Sequence, residues 1–196
     1  MNVVLVSSVT MNAYVRLLGS ALERLQAGVG VAYEPALTPS VAARLNGKTD
    51  VLHIHWPETL VRGRSLRSSL SKLGNLALGL WQARRRGIAI VYTAHNIRRS
   101  GDGVGVLGGL AEELVYRSAA AVHVHDEGAQ AELAQRKPAR RCAVIAHGNY
   151  IGAYPNTTDR SAARERLQIA PDAFVYLALG QIRQGPRRGP VDLQAT

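Results

Sequence analysis

The stretch VYTAHNIRRS, residues 91–100, ends a β-branched and aromatic run at a His-Asn pair and turns at once into an arginine-rich segment. Three other stretches also end an apolar run with histidine: VLHIHWPE (51–58), AVHVHDEG (121–128) and AVIAHGNY (143–150). All six histidines of the chain lie in these four places. The order of strand-like and helix-like segments explains why histidines gather where strands end.

Apolar strand-like runs alternate with segments of helical spacing along most of the chain. Several runs are apolar nearly throughout, which is typical of strands buried on both faces of a parallel sheet. We predict strands at 2–7, 29–33, 50–55, 88–93, 119–124, 141–146 and 173–179. We predict helices at 12–27, 39–46, 64–86, 105–118, 126–136 and 159–168. The alternation predicts an α/β fold with a doubly wound, mostly parallel, Rossmann-like sheet and helices on both faces.

Ligands of such sheets bind in the crevice beyond the carboxyl ends of the strands. Four histidines sit at or just past those ends, and we expect them to converge on one edge of the sheet: His55, His95, His125 and His147. The other two lie two residues earlier, on the same face as their partners. We interpret these two, His53 and His123, as buried and hydrogen-bonded residues of the strands.

Composition limits the class of protein. With 196 residues the chain has room for one domain or for one domain and a fragment. The single Cys142 and the strand-like N-terminus favour a cytoplasmic protein, and the longest apolar stretch, near 73–81, is too short to span a membrane.

The net charge of the chain is +10, and most of the positive charge lies in clusters of arginine. Such clusters can bind phosphate, anionic lipid or nucleic acid. We rank nucleic acid last because no recognition motif accompanies the charge.

Common catalytic motifs do not explain the histidines. The pattern H-x-H occurs twice, but no cysteine set or H-E-x-x-H supports a metal. We assign no metal ligand and no cofactor, and we keep metal binding as a minor alternative. Ser7 and Ser8 follow the first strand without a G-x-S-x-G motif, and Cys142 lies inside an apolar run. Instead of a dinucleotide-binding glycine motif, a polar loop leads into an amphipathic helix that Asn12 can cap.

The motifs in their order resemble a known family. They are NAYVRLL, DVLHIHWPE, VYTAHNIRR, AVHVHDEGA, VIAHGNYIGAYPN and ARERLQIAPDAFVYLALGQIR. Together they are similar to the N-terminal half of retaining GT-B-type glycosyltransferases, of the kind grouped as glycosyltransferase family 4. The resemblance implies two Rossmann-like domains facing each other across a cleft. The N-terminal domain would hold a sugar or lipid-linked acceptor, and the C-terminal domain would hold the nucleotide-sugar donor.

The resemblance also implies roles for particular residues. His95 matches the histidine that faces the transferring sugar, so we predict it to be the catalytic residue. Arg183 matches the arginine that binds the donor phosphate. The predicted acceptor-binding residues, drawn from the first loop and from the histidine edge, are Asn12, His55, Asn96, His125 and His147.

The chain departs from the family pattern near its C-terminus. After Arg183 the family continues with Lys-Gly, whereas this sequence reads QGPRRGPVDLQAT. We therefore predict an acceptor-side domain at 1–158, followed by a linker and the start of a truncated donor domain at 159–196. We expect little transfer unless a donor domain completes the chain, since that domain would neutralise the leaving diphosphate. The alternative is a non-catalytic partner, or a dimeric scaffold, derived from half of a glycosyltransferase.

The expected partners follow from these predictions. They are a sugar or glycolipid acceptor, a partner donor domain or a second copy of the chain, and a membrane surface. The segment 73–86, with Trp81 and a terminal arginine run, fits a peripheral position at the inner membrane face. It equally fits a helix that packs on the sheet and has a basic C-terminus favoured by its dipole.

Overall fold

A computed structural model describes residues 1–25, 27–47, 50–95, 105–136 and 141–177, without the side chain of residue 136. The chain divides into two units, Met1–Tyr154 and Pro155–Thr196. The division predicted between residues 158 and 159 stays a prediction.

The first unit alternates strands and helices in the predicted order. Its strands are β1 (Asn2–Val6), β2 (Gly30–Glu34), β3 (Asp50–His55), β4 (Ala89–Thr93), β5 (Ala121–Val124) and β6 (Cys142–Val144). Its helices are α1 (Tyr14–Leu25), α2 (Pro39–Ala43), α3 (Pro57–Leu60), α4 (Leu66–Arg85), α5 (Gly105–Ser118) and α6 (Glu127–Arg136). The second unit contributes α7 (Arg160–Arg166). None of the helices in the described ranges is long and apolar enough to cross a membrane.

The six strands form one sheet in the order β2-β1-β3-β4-β5-β6, and every neighbouring pair is parallel. The prediction of an α/β, Rossmann-like fold is confirmed. The chain adds β2 on one side of β1 and then returns to add β3 on the other side. Open α/β sheets bind their ligands where the strand order reverses in this way. The carboxyl ends of β1 and β3 are therefore the expected place for a site.

Side chains of β3, β4 and β5 differ between the two faces of the sheet. Successive residues of a strand point to opposite faces. One face is apolar and buried, with Leu52, Ile54, Ile90, Tyr92, Val122 and Val124. Three histidines and a threonine line the buried part of the opposite face: His53, His55, Thr93 and His123. The histidine face of these strands therefore carries polar side chains among apolar ones such as Val51 and Val91, whereas β1 is apolar and buried on both faces, as predicted.

Helix α1 covers the second face where it is apolar. Tyr14 and Val15 pack there with Val3 and Leu5 of β1. Asn12 stands one residue before the N-cap position, Ala13, and its Oδ1 accepts a hydrogen bond of 2.9 Å from the amide of Tyr14, the first residue of the helix. This contact ties the loop after β1 to the first turn of α1.

Helix α3 follows β3 at once and was not predicted. Trp56 lies between them in a left-handed conformation, with φ 44° and ψ 60°, and Pro57 begins the helix. Such a backbone is unusual for a bulky side chain, and it turns the chain sharply at the end of β3. The structure thereby places the Trp56 ring beside the ends of the central strands.

The strand predicted at 173–179 is wrong over its described part. Residues 173–177 are not in a strand, and Phe174, Tyr176 and Leu177 are exposed. The guanidinium of Arg164 donates to the carbonyl oxygens of Ala170 and Ala173 instead, the latter at 2.8 Å. An apolar run becomes a strand only where a neighbouring strand supplies backbone partners, and that information is not local to the run.

Candidate functional site

Histidines from three adjacent strands meet at the carboxyl edge of the sheet. His55 ends β3, while His95 and His125 follow β4 and β5. His55 Nδ1 lies 3.1 Å from His95 Nε2, and His95 Nδ1 lies 3.2 Å from His125 Nε2. The ring of His147, which follows β6, is centred 4.9 Å from that of His125. The prediction that these four histidines converge on one edge is confirmed.

The hydrogen bonds determine the tautomers of the three linked rings. His125 Nδ1 lies 3.3 Å from the carbonyl oxygen of Ile145, which can only accept, so the Nδ1 of His125 carries the proton. In neutral rings, His125 Nε2 then accepts from His95 Nδ1–H, and His95 Nε2 accepts from His55 Nδ1–H. The chain of bonds therefore runs in one direction, from His55 through His95 to His125. It ends on the Ile145 oxygen. At its start, His55 Nε2 is buried and has no hydrogen-bond partner among the described residues.

A second set of hydrogen bonds satisfies the histidines inside the strands. His123 Nε2 lies 2.9 Å from the same Ile145 oxygen and must donate to it, so His123 Nδ1 accepts at 3.1 Å from the Thr93 hydroxyl. The Thr93 oxygen, having given its proton, accepts at 2.7 Å from His53 Nε2. The interpretation of His53 and His123 as buried, hydrogen-bonded residues is confirmed. Thr93 is the link between them.

Tyr14 lies at the centre of the four edge histidines. Its ring centroid is 4.8 Å from those of His95 and His147, 5.5 Å from that of His125 and 5.7 Å from that of His55. Three of these contacts are edge-to-face, an arrangement that stabilises pairs of aromatic rings. Helix α1 therefore anchors the histidine edge through one buried side chain.

The indole of Trp56 stacks on the imidazole of His95. The centroids are 3.9 Å apart and the rings are within 13° of parallel. With its two nitrogens bonded to His55 and His125 and one face covered by Trp56, His95 has a single defined orientation. The strained backbone of Trp56 is consistent with a position in a functional site.

A second arm of the site connects His147 to the loop after β1. The hydroxyl of Tyr150 donates to Asn12 Oδ1 at 2.9 Å and lies 3.4 Å from His147 Nε2. His147 Nδ1 donates to the carbonyl oxygen of Gly148 at 2.7 Å. Because His147 is exposed, this arm faces solvent while His55 stays inside.

Burial keeps the inner histidines neutral. It lowers the pKa of His53 to about 3, with the neighbouring His123 as a lesser cause. It lowers the pKa of His55 to about 2 and that of His95 to about 3, and the surrounding histidines act in the same direction. The pKa of His125 is lowered as well, chiefly by burial. Burial and the neighbouring Tyr150 raise the pKa of Tyr14 to about 12. His53, His55 and His95 are thus uncharged at neutral pH.

The neutral network predicts a loss of stability in mild acid. His53, His55 and His95 have folded pKa values below the ordinary 6.5, so the unfolded chain binds more protons than the folded one between those values. Their contribution is complete above about pH 6.5 and is lost as the pH falls. Each should cost about 1.4 kcal/mol for each pH unit below that point. Urea unfolding at about pH 7.5 and about pH 5.5 measures the change, in a window where carboxylates titrate little.

A variant identifies the source of this effect. His55→Leu removes one titrating group and should reduce the proton uptake on unfolding by about one. An unfolding free energy that is the same at both pH values would contradict a neutral network.

The structure brings most of the predicted site residues together and leaves two of them outside the described ranges. It brings together Asn12, His55, His95, His125 and His147. The predictions for Asn96 and Arg183 lie outside the described residues. Within the described ranges, no group of three or more histidine, cysteine, aspartate or glutamate side chains is arranged to hold a metal ion.

Four residues of the site were not singled out from the sequence. Tyr14 falls within the helix predicted at 12–27, and Thr93 falls within the strand predicted at 88–93. Trp56 and Tyr150 received no role. Thr93 could have been found, because it is polar at a position whose spacing puts it on the histidine face of its strand. The left-handed turn that places Trp56 has no such sequence pattern.

Comparison with known proteins supplies one relationship. No protein-family model matches the chain. A segment of 58 residues is 40% identical to a GDP-mannose:glycolipid 4-beta-D-mannosyltransferase of Xanthomonas campestris pv. campestris, and an enzyme of the same name from strain ATCC 33913 matches equally. The match covers 30% of this chain and 17% of the relative's length. Together with the α/β fold, it supports a relationship between this chain and the glycosyltransferases.

Proposed function

We propose that this chain is the acceptor-side domain of a glycosyltransferase. Completed by a donor domain, it transfers a sugar from a nucleotide-sugar donor to a sugar or lipid-linked acceptor. The observation that carries the proposal is the neutral, oriented His95 at the carboxyl edge of a parallel sheet, beside the reversal of strand order. The partial relative supports GDP-mannose as the first donor to test and a glycolipid as the first acceptor.

His95 has a defined chemical role in this proposal. Its Nε2 accepts from His55, so its Nδ1 carries the proton and is a donor. An acceptor sugar that displaces His125 receives this hydrogen bond on one of its oxygens. His125 is the partner to displace, because it is less buried than His55 and lies next to the exposed His147. His95 then orients the acceptor, and orientation of reacting groups accounts for much of enzymatic rate enhancement.

His55 is a positioning residue in the same scheme. It is fully buried and donates to His95, which keeps His95 in the tautomer that presents Nδ1–H to the acceptor. The negative charge of the leaving diphosphate is stabilised by positive groups of the donor domain and by Arg183.

A transfer assay tests the function. The chain completed by its donor domain is incubated with labelled GDP-mannose and a bacterial glycolipid extract, with UDP-glucose as the matched alternative donor. We expect the label to move into the glycolipid fraction. The one-bond carbon–hydrogen coupling at the new anomeric centre shows whether the configuration is retained. Absence of transfer from both donors, with nucleotide binding intact, would refute the proposal.

The second candidate function is a non-catalytic partner or dimeric scaffold. One observation favours it, the exposed apolar run 174–177, in which Tyr176 is 91% exposed. Light scattering separates the two functions: a stable dimer that becomes monomeric when residues 171–196 are deleted supports the scaffold. A monomer at all concentrations removes it.

A further inference from the structure

Helix α4 carries apolar side chains on two sides. Leu76, Leu80 and Ala83 are buried against the rest of the domain. On another side, Leu66 is 70% exposed and Trp81 is 58% exposed. Leu70, half exposed, stands four residues after Leu66 and eleven before Trp81, spacings that put all three on one stripe of the helix. A helix that only covered a core would carry polar residues on this stripe.

Helix α5 extends the apolar surface. Val106 is 78% exposed and Leu110 is 47% exposed, and they stand one turn apart. Leu114, one further turn along, lines a groove of about 470 Å³ together with Leu80, Trp81, Arg84 and Arg85 of α4. The groove thus joins apolar walls to two guanidinium groups.

The charge of α4 and of the segment before it has a single sign, while α5 carries Glu112 and Glu113, and Glu113 pairs with Arg117 at 2.6 Å. Residues 61–86 contain seven arginines and lysines and no aspartate or glutamate. Arg85 lies over the ring of Trp81, with its guanidinium carbon 5.1 Å from the centroid. The helix dipole favours basic residues in the last turn, which accounts for Arg84 and Arg85. It does not account for an exposed Trp81 and exposed leucines on the same helix.

We propose that the α4–α5 surface, formed by Leu66, Leu70, Trp81, Arg84 and Arg85 of α4 with Val106 and Leu110 of α5, docks on an anionic lipid bilayer. Charge complementarity selects this occupant: basic residues bind the anionic headgroups while tryptophan and leucine enter the boundary of the acyl region. A second copy of the chain fits less well, because a twofold contact would bring two clusters of like charge together. Nucleic acid offers no apolar layer for Leu66, Leu70 and Val106.

Membrane docking gives the proposed function a location, and its biological purpose rests on that proposed function. A glycolipid acceptor is presented at a membrane, and a domain held at that surface meets it at high local concentration. Vesicle binding needs no donor and no transfer, so the two proposals can fail separately.

The test is sedimentation of the full chain with vesicles of phosphatidylcholine alone or mixed with phosphatidylglycerol, at low salt. We expect binding to the anionic vesicles only. Arg84→Glu/Arg85→Glu should weaken it at least about tenfold. The matched control is Arg24→Glu/Arg141→Glu, which makes the same change in net charge at exposed arginines of α1 and of the segment before β6. We expect the control to bind within about twofold of the native chain, because its arginines lie outside the docking surface.

Fluorescence tests insertion directly. In the Trp56→Phe background Trp81 is the sole tryptophan, and its emission should shift to the blue on anionic vesicles. Inorganic phosphate that removes binding to the anionic vesicles, at an ionic strength where sodium chloride leaves it intact, would show a free-phosphate site and overturn the proposal. Equal loss of vesicle binding in the two charge-reversal variants, an unshifted Trp81 spectrum, or tighter binding to duplex DNA than to vesicles would also overturn it.

The rate of transfer to a water-soluble acceptor should be unchanged in Arg84→Glu/Arg85→Glu. A lower rate would show that the substitutions damage the domain and not only its membrane contact.

Discussion

Thr93→Val should destabilise the folded protein by about 2–6 kcal/mol. The substitution keeps the shape of the side chain and removes only its hydroxyl. His53 Nε2–H then loses its acceptor, and His123 Nδ1 loses its donor, both in the buried part of the sheet. Each buried polar group left without a partner costs about 1–3 kcal/mol. Urea unfolding at about pH 7.5 measures the effect, in the range where the histidines are neutral.

The control for this prediction is Thr157→Val, which makes the same chemical change at an exposed position. It should alter the free energy of unfolding by less than about 0.5 kcal/mol. If Thr93→Val is as stable as this control, then the hydroxyl does not link the two histidines and the inner network is incorrectly described.

Replacing His95 with glutamine should lower transfer at least about 100-fold in the complete enzyme. Glutamine places an amide oxygen near the position of Nε2, so it still accepts from His55. It offers no donor at the position of Nδ1. The variant should therefore fold while losing the hydrogen bond that we assign to the acceptor. Initial rates with GDP-mannose and a glycolipid acceptor measure the effect.

The matched variant is His95→Asn, which places an amide N–H near the position of Nδ1. We expect it to retain more transfer than His95→Gln, even though the donor His55 Nδ1–H loses its acceptor and the domain is less stable. The melting temperature of each variant separates the two effects. Equal activity of the two variants, or higher activity of the glutamine variant, would contradict the donor role of His95.

Most of the sheet was predictable because each of its strands carries its own pattern. Six of the seven predicted strands are present, and their ends differ from the prediction by a few residues at most. The seventh, 173–179, is wrong over its described residues 173–177, because a strand depends on a neighbour that the run itself does not encode. Helix α3 was missed because it has only four residues, although Pro57 at its first position is a sequence signal for a helix start.

The site was predictable in its position but not in its chemistry. Histidines at the ends of parallel strands must meet at one edge, and His55, His95 and His125 do so. Their hydrogen bonds to one another depend on the register of the strands. His55 pairs with Thr93, two residues before His95, and Thr93 pairs with His123, two residues before His125. Tyr14 reaches the same place from a helix about 40 residues before His55, a contact that only the assembled fold creates.

Nitrogen-15 NMR of the histidine side chains at about pH 7.5 tests the central claim most directly, because long-range correlations distinguish Nδ1–H, Nε2–H and doubly protonated rings. The structure predicts that His55, His95 and His125 are neutral Nδ1–H tautomers, and that His53 and His123 are neutral Nε2–H tautomers. His95 should remain neutral as the pH is lowered through 6.5, in keeping with its lowered pKa. A cationic His95, or one with its proton on Nε2, would contradict the directed hydrogen-bond chain and the role of His95 that rests on it.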